Sequence, residues 1–147
     1  MGDYVEILNE QYLEQPKQGD AGIDLIARDD PEFFTDKDGD VLFVEYNTGV
    51  KIAPSSNSMH GLVFPRSSIS KYHLSLCNSV AVIDSSYRGE IKLRFRRLKE
   101  MGNFYQKGDK IGQLIFFSPC VPELIFVDKF ENKTTLRGEK GFGSTGR

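Results

Sequence analysis

Segment 78–90 of the 147-residue chain carries residue types that could take part in catalysis and ligand recognition. Asp84 directly follows an apolar run, so its carboxylate is expected to emerge where water is scarce and to act as a general base. Asn78 offers the amide donor and acceptor that a uracil edge requires, and Tyr87 offers a flat ring to pack on a sugar. Taken singly, each of the three is more simply a turn residue, or a core residue for Tyr87.

Two other segments have the composition of an anion site. An apolar strand ends and a short helix can begin at Pro65-Arg66-Ser67-Ser68. The N-terminus of a helix favours phosphate binding, because its backbone N–H groups are free to donate. A plain serine cap beside an exposed arginine is the simpler interpretation. The segment 137–147 combines Arg137 with four glycines, whose backbone N–H groups can approach oxygens. A frayed terminus is equally plausible from composition, but a lone Phe142 among glycines favours stacking on a ligand or partner.

Gln113 and Asp24 are polar residues inside apolar strands. Gln113 is either outward-facing or an amide that reaches a ligand, and Asp24 is either solvent-facing or near a hydrated cation. The acidic run 36–40 resembles half of a calcium loop, but the position of its glycine predicts a hairpin turn instead. Cys77 and Cys120 have apolar neighbours and are predicted to be reduced core thiols, and no Cys or His pair has zinc-ligand spacing.

The elements that must position these residues are short strands, because the apolar residues alternate with a period of two. One short helix is predicted after Pro65, with Ser67 or Ser68 capping 69–72. The pattern predicts an all-β barrel or double-sheet jelly roll, with one domain over 1–132 and a flexible Gly-rich arm of the same domain over 133–147. The predicted strands are Val5–Leu8, Ile23–Ala27, Val41–Tyr46, Val50–Ala53, Leu62–Pro65, Leu74–Cys77, Val80–Ile83, Glu90–Phe95, Ile111–Ser118 and Leu124–Val127.

Composition and charge exclude several classes of protein. With 39% hydrophobic and 27% charged residues, the chain is neither disordered nor a coiled coil. It has no apolar run of the ~18 residues that cross a bilayer and no signal-peptide pattern. These absences predict an intracellular, cytoplasmic protein without a membrane partner. A nuclear location is the alternative for a eukaryotic or viral source. The basic stretch 92–99 alternates with apolar residues, so we interpret it as a solvated or subunit-facing strand rather than a nucleic-acid site.

Five segments, in this order, resemble the five ordered motifs of the trimeric dUTPase family. The similarity extends from about Gly19 to the C-terminus, and the third and fifth motifs are the most specific. The segments are 21–25 (Ala-Gly-Ile-Asp-Leu), 65–68 (Pro-Arg-Ser-Ser), 82–90 (Val-Ile-Asp-Ser-Ser-Tyr-Arg-Gly-Glu), 108–114 (Gly-Asp-Lys-Ile-Gly-Gln-Leu) and 137–146 (Arg-Gly-Glu-Lys-Gly-Phe-Gly-Ser-Thr-Gly).

The resemblance implies a homotrimer of distorted β jelly rolls with the C-terminal arm exchanged between subunits. Such enzymes hydrolyse dUTP to dUMP and pyrophosphate with Mg²⁺, and each active site is built from all three chains. Asp84 would be the general base, and Asp24 would contact Mg²⁺ through water. The implied substrate-binding residues are Arg66, Ser67, Ser68, Asn78, Val80, Val82, Ile83, Tyr87, Gln113, Arg137, Phe142, Gly143, Ser144 and Thr145.

Four positions depart from the family pattern without removing a chemical group from the implied site: Ala81, Lys110, Gly112 and Lys140. Two alternatives remain beside the dUTPase. A dCTP deaminase shares the fold but lacks the Gly-rich arm, and a dUTP-responsive regulatory protein would not need an intact Asp84.

Overall fold

The alternating apolar residues form β-strands throughout our computed structural model, which describes residues 2–100, 102–131 and 134–141. Two short 3₁₀ helices, Glu10–Tyr12 and Ser67–Lys71, interrupt them. No helix in this described part is long and apolar enough to cross a membrane. The strands are β1 Val5–Leu8, β2 Leu13–Glu14, β3 Ile23–Ile26, β4 Glu32–Thr35, β5 Val41–Asn47, β6 Lys51–Pro54, β7 His60–Phe64, β8 Leu74–Leu76, β9 Ala81–Ile83, β10 Lys92–Arg97 and β11 Lys110–Phe117.

All strand pairs in these residues are antiparallel. One sheet has the order β4-β5-β10-β8, a second has the order β2-β3-β11-β7-β9, and β1 pairs with β6. The two larger sheets contribute side chains to one core cluster, so they pack face to face. This arrangement confirms the predicted all-β jelly-roll class.

The basic strand β10 lies in the middle of the four-stranded sheet. Ile91, Leu93 and Phe95 are buried in the core, whereas the alternating basic residues of β10 face outward. The predicted strand with one buried face is therefore confirmed. On the outer face, the buried Glu45 of β5 accepts hydrogen bonds from Arg94 Nε at 2.7 Å and from Lys92 Nζ at 3.2 Å.

The predicted strand Leu124–Val127 is wrong. Residues 118–131 have no regular secondary structure, and Phe126 is 90% exposed. An isolated apolar segment cannot form a strand without a neighbour that pairs with its backbone, and this segment has none within the described chain. Two strands were not predicted: β2 is too short for a period to be detected, and β4 lies inside an acidic stretch.

Three local predictions have mixed outcomes. The 36–40 turn is confirmed, since Asp36 Oδ1 accepts the N–H groups of Asp38 and Asp40. Serine capping of the second 3₁₀ helix is wrong, because Arg66 occupies the N-cap position and makes no side-chain cap bond. The core-thiol prediction is wrong for Cys120, which is exposed because it lies in the irregular 118–131 segment; Cys77 is partly buried and both are free. The predicted domain boundary at residues 132/133 lies outside the described residues.

Gly112 of β11 allows the two large sheets to approach each other. A Cβ at this position would lie 2.7 Å from Leu93 Cδ2 and 3.2 Å from the Phe64 carbonyl oxygen. We expect Gly112→Ala to lower the free energy of unfolding by about 1–3 kcal/mol through overpacking. Urea unfolding measures the effect, and Gly2→Ala, which meets nothing within 4 Å, is the control. A Leu93→Val background should reduce the penalty of Gly112→Ala; an unchanged penalty would contradict this origin.

The Glu45 ion pairs predict a pH dependence of stability. Burial raises the pKa of Glu45, but the hydrogen bonds from Arg94 and Lys92 outweigh burial, so the pKa lies below its usual range. The stabilisation is therefore complete at neutral pH and is lost as the pH falls through this lowered pKa. We expect Glu45→Gln to lower the free energy of unfolding by about 1–2 kcal/mol at pH 7, since both bases are half exposed.

The difference between the wild type and Glu45→Gln should shrink in urea titrations below about pH 4. Glu6→Gln, at an exposed position of β1, should behave like the wild type at every pH. A constant difference between pH 7 and pH 3 would show that the ionised carboxylate of Glu45 is not the stabilising group.

Candidate functional site

The five-stranded sheet brings three predicted site residues together. Asp24 of β3 and Gln113 of β11 are direct register partners, and Gln113 in turn pairs with Phe64 at the end of β7. The chain leaves β7 through Pro65 into Arg66, so Arg66 reaches back across the sheet to Asp24. Arg66 Nε donates to Asp24 Oδ1 at 3.1 Å, and Gln113 Nε2 donates to the Pro65 carbonyl at 3.2 Å.

These residues line a polar cavity of about 360 Å³, which we call the phosphate-side cavity. The 19–22 loop closes one side of it, and Asp24, Arg66, Ser67 and Gln113 line the rest. Guanidinium, hydroxyl and amide donors converge here, which is the donor set that binds phosphate oxygens. Ser68, in the second 3₁₀ helix, is partly buried beside this cavity's Ser67.

Lys110 and Glu14 extend the ion pairs of this cavity. Lys110 Nζ lies 2.7 Å from Glu14 Oε2 and 3.5 Å from Asp24 Oδ2. The hydrogen bond and charge of Lys110 lower the pKa of Glu14, and the hydrogen bond that Lys110 donates to Glu14 is the largest of the effects that raise the pKa of Lys110. Each Asp24 oxygen thus has a basic partner, Arg66 or Lys110. Two acidic and two basic side chains form the group, so it carries no net charge. Sequence reasoning missed Glu14, because a two-residue strand gives no periodic signal.

A second group of predicted residues lies on β9 and the turns that flank it. Asn78, Val82, Ile83, Asp84 and Tyr87 contribute to a cavity of about 320 Å³. Val80 is partly buried in the same hairpin, before β9 begins. This group, which we call the base-side hairpin, therefore brings together the residues that the sequence analysis assigned to the nucleobase, the sugar and the general base.

Asp84 is more exposed than expected. Strand β9 ends at Ile83, so Asp84 begins the following turn, and its side chain is 74% exposed. The prediction of a water-poor environment is wrong for the isolated chain. The carboxylate is accessible to a water molecule and to a ligand approaching from outside the chain.

Tyr87 is an outward-facing residue held by its hydroxyl. Its Oη donates to the Glu90 carbonyl at 2.9 Å, while 45% of the residue remains exposed. The ring folds over Gly89, where a Cβ would overlap the Tyr87 hydroxyl and ring. The core interpretation of Tyr87 is therefore wrong, and the turn presents a fixed aromatic ring to the surface.

His60, which the sequence analysis did not assign to the site, contacts this turn. Its Nδ1 accepts the Ser85 N–H at 3.1 Å and lies 3.9 Å from Asp84 Oδ1. A lone histidine at the start of a strand gives no signal in the sequence, because the contact depends on the pairing of β7 with β9.

The phosphate-side cavity and the base-side hairpin lie apart within one chain. Asp24 lies in β3, and Asp84 directly follows β9. In the sheet order β3-β11-β7-β9 these two strands are separated by three strand spacings, about 14 Å. They also lie at opposite ends of β7, because Asp84 follows the pair Gly61–Ile83 whereas Arg66 follows Phe64. A single chain does not bring Asp84 to Arg66.

Of the predicted arm residues, Arg137 is described. It is exposed, and its Nε donates to the Lys140 carbonyl at 2.9 Å. Phe142, Gly143, Ser144 and Thr145 lie outside the described residues.

Comparison with known proteins identifies the family. The dUTPase family model matches residues 9–146, nearly the whole chain. The chain belongs to the dUTPase family. A curated deoxyuridine 5'-triphosphate nucleotidohydrolase of Wigglesworthia glossinidia brevipalpis is 36% identical over 130 residues, which cover 88% of this chain and 82% of the relative. The same enzyme from Desulfitobacterium hafniense is 39% identical over 129 residues, which cover 87% of this chain and 82% of the relative.

Solved dUTPase structures have the same fold. The EIAV dUTPase is 25% identical with a TM-score of 0.68, covering 89% of this chain and 100% of that chain. A Staphylococcus bacteriophage 80alpha dUTPase bound to dUpNHpp superimposes with a TM-score of 0.72 over 99% of both chains at 23% identity. This chain therefore has the fold of both solved dUTPases.

Proposed function

We propose that this dUTPase-family chain hydrolyses dUTP to dUMP and pyrophosphate. The observation that carries the proposal is the family match over 9–146 in a chain that retains both a phosphate-side cavity and an accessible Asp84. The curated relatives are named deoxyuridine 5'-triphosphate nucleotidohydrolases, a name that describes the proposed reaction.

The working assembly that we propose is a homotrimer with active sites shared between chains. The separation of Arg66 from Asp84 within one chain supports the trimer, because a second copy must supply the missing half of each site.

The apolar segment 121–130 supports the trimer too, since exposed apolar residues of this size are typical of contact surfaces. We propose that this segment and the arm after it cross to a neighbouring chain. Its exposed residues are Val121, Leu124, Ile125, Phe126, Val127 and Phe130.

The chemical step proposed for Asp84 is general-base catalysis. The carboxylate takes a proton from water as the water oxygen attacks the α-phosphorus. The bond from the α-phosphorus to the bridging oxygen breaks in line with the attack, so dUMP forms and pyrophosphate leaves with the bonding electron pair. The exposure of Asp84 supports the role, because water reaches its carboxylate directly.

Recognition of the base and sugar is assigned to the base-side hairpin. The Asn78 amide, with backbone groups of Val80, Val82 and Ile83, would read the uracil edge. Tyr87 would pack on the deoxyribose and exclude a 2′-hydroxyl. The fixed ring of Tyr87 over Gly89 supports this role, because steric exclusion requires a side chain that cannot move away.

The triphosphate is assigned to the phosphate-side cavity and the arm. Arg66, Ser67, Ser68 and Gln113 would hold phosphate oxygens. The donor set of the cavity supports this assignment. From the arm, Arg137, Gly143, Ser144 and Thr145 would hold the γ-phosphate, while Phe142 would stack over the base.

Mg²⁺ is the metal that fits this donor set. The described residues contain no cluster of three or more His, Cys, Asp or Glu that could hold a metal without substrate. Mg²⁺ keeps several waters and is commonly held by one or two carboxylates plus substrate phosphates, which suits a cavity lined by Asp20 and Asp24 beside Arg66. When bound, the ion would neutralise phosphate charge, and Asp24 would hold it through water.

The proposed reaction is tested by comparing the wild type with Asp84→Asn. With Mg²⁺, we expect pyrophosphate release from dUTP but not from dCTP, dTTP or UTP, and a loss of about 100- to 10,000-fold in kcat for the variant, because its amide cannot take the proton. Asp38→Asn, in the exposed 36–40 turn, is the matched control and should keep wild-type activity. Full activity of Asp84→Asn would overturn the assignment of the base, and deamination of dCTP would replace the reaction.

The proposed sugar discrimination is tested at Gly89. We expect Gly89→Ala to push the Tyr87 ring out of place and to raise kcat/KM for UTP relative to dUTP by about 10-fold or more. Tyr87→Ala, which removes the ring, is the reference for complete loss of this block. If Gly89→Ala discriminates like the wild type while Tyr87→Ala does not, the contact of the ring with Gly89 is irrelevant to discrimination.

A further inference from the structure

The pairing of β7 with β9 ends one residue before the proposed base. The last pair joins Gly61 to Ile83, so the next residues along the two strands, His60 and Asp84, face each other where the ladder stops. The following N–H, that of Ser85, belongs to a buried residue, 8% exposed. A buried N–H without an acceptor costs about 1–3 kcal/mol. The imidazole of His60 supplies that acceptor beyond the end of the backbone ladder.

The imidazole of His60 is itself held in place. His60 pairs with Phe117 of β11 on its other side, and the two rings lie with centroids 6.0 Å apart. Its side chain is 18% exposed. Because Nδ1 accepts the Ser85 N–H, this nitrogen carries no proton, and in the neutral ring the proton is on Nε2.

The contact with His60 and a second hydrogen bond both hold the peptide group that joins Asp84 to Ser85. The Ser85 N–H belongs to the peptide that follows Asp84, and the Tyr87 N–H donates to the Asp84 carbonyl at 3.0 Å. Arg88 Nη1 donates to the Ser85 carbonyl at 2.6 Å. The carboxylate oxygen itself lies 3.9 Å from Nδ1, beyond hydrogen-bond distance, so His60 orients the backbone without occupying the carboxylate.

We propose that His60 is a positioning residue for Asp84: its unprotonated Nδ1 holds the Ser85 N–H and thereby fixes the direction in which the Asp84 carboxylate leaves the turn. The inference rests on the proposed function, because it assigns Asp84 as the base. Displacement of a catalytic group by about 1 Å can reduce the rate ~100-fold, so the loss of one positioning bond has a measurable effect on kcat.

The test compares two variants of nearly equal size and shape. In His60→Asn, Oδ1 stands at the same number of bonds from the backbone as Nδ1, so an acceptor remains. His60→Leu has no acceptor, yet both variants lose the ring contact with Phe117. We expect His60→Leu to lower kcat for dUTP by about 10- to 100-fold with KM changed less than about 2-fold. His60→Asn should restore kcat to within about 3-fold of the wild type.

Two outcomes in activity would overturn the proposal. One is wild-type kcat in His60→Leu, and the other is an equal loss of kcat in both variants, which would indicate a packing role shared by Asn and Leu. His60→Gln, whose acceptor stands one atom further out, replaces His60→Leu if that variant does not fold, and is expected to be the less active of the two amide variants.

An activity-independent measurement separates this proposal from the proposed reaction. Hydrogen exchange by NMR should show the Ser85 amide protected in the wild type and in His60→Asn, and about 10-fold or more less protected in His60→Leu. Absence of dUTP hydrolysis by the wild type, with this protection pattern intact, would reject the reaction but keep the contact. An unprotected Ser85 amide in the wild type would reject the His60 contact whatever the activity.

Discussion

The antiparallel register of β3, β11 and β7 is the constraint on which the site depends. It places Asp24, Gln113 and Phe64 in one row across three strands, and the chain then turns at Pro65 so that Arg66 meets Asp24. Side chains alternate along a strand, so a slip of one residue would turn Gln113 into the core and expose Leu114. The same alternation that buries the core therefore keeps the phosphate-side donors on one surface.

The sheets also explain a departure from the family pattern. Gly112 is one of the positions that depart from the family pattern, and a methyl group there would collide with Leu93 on the opposite sheet. Leu93 therefore occupies the space that a methyl group at 112 would need, because protein cores are close-packed. Lys110, another of these positions, binds Glu14 and Asp24 together.

The sequence predicted whatever is local or periodic. The alternation in β10 and the turn at 36–40 follow from residue types alone, and motif resemblance identified the family. It did not predict the exposure of Asp84, which depends on where β9 ends, or the irregular 118–131 segment, whose pairing depends on a neighbour. Glu14 and His60 give no local signal, and each contacts a partner 25 or more residues away in the chain.

In the proposed assembly, in which each site is shared between chains, the division of the site between the two ends of β7 has a genetic consequence. A chain altered in the phosphate-side cavity still carries an intact base-side hairpin, and a chain altered at Asp84 still carries an intact cavity. When two such inactive chains assemble together, some of their shared sites combine the two intact halves. Two alleles that are each null when expressed singly would then complement one another in a cell that makes both.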